Sequence, residues 1–121
     1  MFRIRKAQME ALARAEEENF DDRLYENVRE NFPEESEELG EEKTRATIRY
    51  GRERAASYGF QSRDDVTRYV GLVFAFSRDF DLDPEMPWAR EILTDPKQRD
   101  TRMDRLYERA QRELDEEETG G

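Results

Sequence analysis

The run VTRYVGLVFAF, residues 66–76, sets the tightest limit on what this 121-residue chain can fold into. Charged residues make up 43% of the sequence, yet this run holds only Arg68. Val66, Tyr69, Val70, Leu72, Val73, Phe74 and Phe76 cover nearly every side of a helix at 3.6 residues per turn, so other elements have to enclose it. SRDD, just ahead, supplies the start: Ser62 as N-cap with Asp65 three residues on, a variant of the capping box. A buried central helix at about residues 63–77 is the predicted centre of the fold.

Helical patterns on both sides supply the enclosure. Residues 5–31 read as one long helix, with Met9, Leu12, Phe20, Leu24 and Val28 on a stripe that Glu16 interrupts. Phe2 and Ile4, in or at the end of a leading segment over 1–4, are expected to tuck against the body. Pro33 stops the helix, because the residue before proline is pushed out of the α region. PEESEELG reads as a short acidic turn closed by Gly40. A second main helix spans about 41–58, with Ile48, Gly51, Ala55 and Tyr58 on one face. Small residues at 51, 55 and 56 would let a neighbour approach closely, and Gly59 takes the C′ role.

Pro87 suits a first helical position and opens the short PWAREILT segment. Asp95 and Pro96, with Gln98 at N3, predict a last helix over 96–115, carrying Met103, Leu106, Tyr107, Ala110 and Leu114. The acidic tail over 116–121 is expected to fray. No strand alternation longer than residues 2–5 appears, and there is no internal repeat. The expected architecture is a single all-α domain over 1–121, of five to six helices.

Missing residue types narrow the chemistry. Without Cys or His, the chain cannot form disulfides, Cys/His zinc sites, cysteine nucleophiles or Ser-His-Asp triads. Thirty-one acids against 21 bases give a net charge of −10, which repels nucleic-acid phosphates and anionic lipid. A basic segment of a protein partner is the expected complement, although interleaved Arg and Glu is also the pattern of solvated helix faces. The basic N-terminus lacks an apolar signal core, and VGLVFAF is far too short to span a bilayer. The expected location is cytoplasmic.

FSRDFDLDPEMPWAR, residues 76–90, is the one stretch that could pass for a site. Asp79, Asp81 and Asp83 match the first three ligand positions of a calcium loop. The sixth position is then Pro84 instead of Gly, and the twelfth Arg90 instead of a bidentate Glu. Carboxylate catalysis needs one acid desolvated, and nothing marks one among so many. Phe74, Phe76, Phe80, Trp88 and the Tyr residues could form a ligand or peptide groove, but helical spacing favours core. No catalytic residue, cofactor or metal is expected. The reading is a structural bend formed by Asp79, Asp81, Asp83, Pro84, Pro87 and Trp88. One or two of Arg49, Arg52, Arg54, Arg68, Arg78 and Arg90 should lock its acids. Asp79 is expected to pair with an arginine, Asp83 or Glu85 to cap the helix begun at Pro87, and Trp88 to pack on Phe76 or Phe80.

These same residues carry a resemblance. Ile48, Arg49, Gly51, Arg54, Ala55, Tyr58 and Gly59 form an I-R-x-G-x-x-R-A-x-x-Y-G helix end. Phe80, Asp81, Asp83, Pro84, Pro87, Trp88 and Ala89 form F-D-x-D-P-x-x-P-W-A, and RLYERA follows at 105–110. The pattern resembles a group of small bacterial helical proteins found beside effectors of type VI secretion and related contractile or polymorphic-toxin systems. Ser77 stands where that pattern has glycine. The resemblance implies a non-enzymatic accessory that docks an effector or delivery component as adaptor or chaperone. The alternative is an immunity protein that neutralises a cognate toxin, and a homo-oligomeric structural subunit is a third reading. Glu16, Glu17, Asp21, Asp22 and Tyr25, together on the first helix, are the candidate partner-binding residues.

Overall fold

A computed structural model of the chain describes residues 6–97 and 101–119, with side chains over 19–97 and 101–117. Every regular element among them is helical: α1 (Lys6–Asn31), α2 (Pro33–Ser57), α3 (Arg63–Ala75), a 3-10 turn (Phe80–Leu82), α4 (Pro87–Leu93) and α5 (Arg102–Thr119). The protein is all-α, as its periodicity requires. Phe2, Ile4 and Gln98 lie outside the described residues, as do the side chains of Met9, Leu12, Glu16 and Glu17. The chain divides into two compact units, Met1–Arg49 and Tyr50–Gly121.

In the first unit, Phe20, Leu24 and Val28 recur every four residues along α1 and are all buried. The helix stops at Asn31, one residue short of the Phe32-Pro33 pair that forbids continuation. Pro33 starts α2, where its missing N–H would have had no helical partner in any case, and Glu34 and Glu35 complement the dipole of the first turn. Gly40 then breaks the rod at φ 81, ψ 167, so the predicted acidic turn and the second main helix are joined through a kink. Thr44, fully buried, donates its hydroxyl to the Ser36 carbonyl at 3.3 Å and so bridges that kink. Arg45 ties α2 to α1 through Asp22 at 2.8 Å and lies over the Tyr25 ring at 4.3 Å.

In the second unit, α3 buries Val66, Tyr69, Val70, Leu72, Val73 and Phe74. Its start is fixed as the sequence specifies, the Ser62 side chain accepting from the Asp65 N–H at 3.1 Å. Gly51 of α2 lets α3 come close: a Cβ at that position would sit 3.2 Å from Val70 Cγ2. Ala55 lies on the same buried face, whereas Ala56 is exposed and takes no part in the approach.

Three boundaries differ from expectation. α3 ends at Ala75, because the backbone turns away at Phe76 (φ −114, ψ −79). α5 begins at Arg102 instead of 96, since Pro96 and Lys97 form a bend closed by the Asp95 carboxylate, which accepts the Lys97 N–H at 2.9 Å. At the other end, α5 runs past the expected end at 115 to Thr119. Contacts one turn apart brace the helix up to residue 115: Arg109 to Glu113 at 2.7 Å and Gln111 to Asp115 at 3.2 Å. Met103, Leu106 and Ala110 are buried, but Tyr107 is 40% exposed beneath the Arg68 guanidinium, not a core residue. Arg102 donates to the Leu93 carbonyl at 2.7 Å, joining the start of α5 to the last turn of α4.

Two substitutions probe this packing by urea unfolding. Gly51→Leu should cost roughly 1–3 kcal/mol, since α3 leaves it no room. Gly40→Ala should cost roughly 1–3 kcal/mol through its glycine-only backbone conformation alone, because open space surrounds that position. A neutral Gly51→Leu would contradict the close approach.

Candidate functional site

Tyr50 and Arg54 on α2, and Tyr58 in the turn just past its end, recur every four residues and so share one stripe. Across from the stripe lies the segment between α3 and α4. The Asp81 carboxylate, completely buried, receives both the Arg54 guanidinium and the Tyr58 hydroxyl on its Oδ2, the latter at 2.5 Å. Tyr50 donates its hydroxyl to Asp79 Oδ1, and the Arg78 guanidinium covers the Tyr50 ring at 4.1 Å from its centre. Asp83 turns the other way, its Oδ1 accepting the Glu85 N–H at 2.9 Å. Successive turns carry the backbone around the corner: Leu82 N–H to the Asp79 carbonyl at 2.9 Å, then Met86 N–H to the Asp83 carbonyl at 3.0 Å.

The three aspartates therefore have three separate tasks. Among the six arginines considered, Arg54 is the one that meets a bend acid in the described contacts. Asp79 is held by a phenol, not by an arginine. Asp83 closes an Asx turn and does not cap α4, whose N-cap Met86 makes no side-chain bond. Ser77 needs no glycine, because no described residue other than glycine has positive φ. Among the described residues, no group of three His, Cys, Asp or Glu side chains gathers as metal ligands.

Aromatic packing backs the polar contacts. Phe80 is fully buried, its ring 5.2 Å from that of Tyr69 and 6.3 Å from that of Phe76. Trp88 meets Phe76 edge-on at 5.9 Å, and Arg109 lies over the indole at 5.1 Å. Pro84 and Pro87 remain exposed, and Leu82 is 49% exposed beside them.

Charge and burial fix the protonation of the cluster. The hydrogen bond to Asp81 holds the Arg54 guanidinium above its ordinary value against the effect of burial. Tyr58 is pushed up to about 12, first by burial and then by its bond to Asp81. Tyr69 is raised chiefly by burial, with the Asp81 charge adding to it, and Tyr50 chiefly by its bond to Asp79. Each phenol keeps its proton, and Tyr50 and Tyr58 use theirs to donate to Asp79 and Asp81, the opposite of what a base or nucleophile needs. The cluster is built to hold a carboxylate.

The candidate partner-binding residues are partly engaged elsewhere. Asp22 and Tyr25 are bound to Arg45, Asp21 is half-buried, and Glu16 and Glu17 fall outside the described side chains. Reading the sequence missed Tyr50 and Tyr58 as partners of Asp79 and Asp81, although the fourfold spacing with Arg54 was a usable signal. Comparison of the chain with protein-family models, curated proteins and solved structures gives no match.

Removing one partner strands the other in the interior. Arg54→Met should cost roughly 3 kcal/mol, and adding Asp81→Leu should recover more than half of it. Unfolding in urea reads both, and no recovery in the double variant would contradict the pairing. Alkaline pH gives a second measurement. Between pH about 10, the ordinary phenol value, and about 12, unfolded Tyr58 loses its proton while the folded residue keeps it. The folded state then binds more protons, so Tm should fall as pH rises through that window. Tyr58→Phe should make the fall shallower, and an unchanged slope would remove Tyr58 as its source.

Proposed function

We propose that the chain is a non-enzymatic, cytoplasmic accessory of a bacterial type VI secretion or related toxin-delivery system, acting as adaptor or chaperone for an effector or delivery component. The observation that carries this reading is the use of the bend acids. Asp79, Asp81 and Asp83 accept bonds from Tyr50, Arg54, Tyr58 and a backbone N–H, so the segment that most resembles a reactive site serves to shape a surface. Carboxylates are plentiful outside it: Glu34, Glu35, Glu37, Glu38, Glu41 and Glu42 are all exposed within ten residues. Such a surface favours basic protein partners and fast, salt-sensitive association. No helix among the described residues is long and apolar enough to cross a membrane.

The same exposed glutamates favour a second reading, an immunity protein whose acids cover a basic toxin site. Co-expression with neighbouring gene products separates the two. An adaptor or chaperone yields a stable complex with an effector or delivery component, and an effector so held stays active. An immunity protein instead rescues cells from one adjacent toxin. Failure to form a complex with any neighbouring product would contradict both.

A further inference from the structure

The outer side of the bend carries a groove of about 390 Å³, at the small end of the roughly 300–1,000 Å³ typical of ligand pockets. Its apolar lining is Leu82, Pro84 and Pro87, all exposed in a chain otherwise rich in charge. Leu82, 49% exposed, is the most exposed large apolar side chain among the described residues. The lining cannot collapse easily: two prolines fix their own φ, and the Asp81 carboxylate behind Leu82 is anchored by Arg54 and Tyr58. A groove held open this way loses little freedom on binding.

The charges around it are unbalanced. Arg90 lies close enough to act on the Tyr58 hydroxyl, near Asp81. Asp83 and Glu91 line the same groove, and among the described residues neither forms an ion pair. A second copy of this chain is a poor occupant, because two bodies of charge −10 repel.

We propose that this groove docks a short extended segment of a partner protein, one apolar side chain flanked by lysine or arginine. The apolar side chain packs on Leu82, Pro84 and Pro87, while the flanking cations meet Asp83 and Glu91. The inference deepens the accessory reading by naming where a partner is gripped and by what chemistry.

The test titrates the isotope-labelled full chain with a blocked pentapeptide, leucine between two pairs of lysines, and follows amide shifts. Saturable shifts are expected at Leu82, Glu91 and Thr94. Leu82→Asp and Glu91→Lys, both at exposed positions, should weaken binding at least roughly tenfold and fivefold, as for loss of an anchor and reversal of a rim charge. Peptides with glutamate flanks, or with serine in place of leucine, should not saturate. Equal binding of the glutamate or serine peptide would overturn the proposal, as would shifts confined to the exposed glutamates of α2. Concentration-dependent shifts at Leu82 without peptide would assign the groove to a second copy and overturn it too. A partner complex that forms normally with Leu82→Asp, alongside a silent peptide titration, would sink the groove and leave the accessory reading standing. A peptide that binds here when no neighbouring gene product does would have the reverse effect.

Discussion

One ion pair, Arg54 with Asp81, determines how the second unit is put together. A carboxylate with no exposed side-chain surface is expensive to bury, and the expense is tolerable only where donors stand ready. Arg54 on α2 and Tyr58 just past its end supply two, one turn apart and aimed at the same oxygen. Everything that follows Asp81 in the chain is thereby placed relative to α2. The 3-10 turn brings Phe80 onto Tyr69, α4 starts at Pro87, and Trp88 closes against Phe76. Attraction between the charges alone does not explain the arrangement. Phe80 and Tyr69 are fully buried with Asp81, and the low local dielectric strengthens the hydrogen bonds its carboxylate accepts.

Arginine serves here in two ways. With Asp81, Asp22, Asp95 and Glu113, it forms ion pairs that reach between elements or brace a helix end. Over Tyr25, Tyr50, Phe60 and Trp88, it lies on aromatic rings, screening apolar area with a cation that keeps contact with water. A chain with modest apolar content can in this way cover its rings without a larger core. The sequence shows this only as many arginines among many acids.

Local signals were legible and distant ones were not. Ser62 with Asp65, Pro33, Gly59 and Pro87 each act through their immediate neighbours, so the helix starts and stops they mark could be read directly. The buried helix was equally plain, because no exposed helix can carry Val66, Tyr69, Val70, Leu72, Val73 and Phe74. Contacts of Asp79 with Tyr50, and of Asp81 with Tyr58, span more than twenty residues, and a list of aspartates cannot choose between arginine and phenol. The late start of α5 escaped for a similar reason. Asp95 followed by proline fits a helix cap and a bend equally well, and Arg105 reaching back to Asp95 is a tertiary contact.

The account stands on the bend being a rigid element and not a loop that samples many shapes. Native-state hydrogen exchange at the Leu82 amide, which donates to the Asp79 carbonyl, measures this directly. The account predicts protection approaching that of the Leu72 amide in the buried helix. Exchange at the rate of an unstructured chain would contradict it.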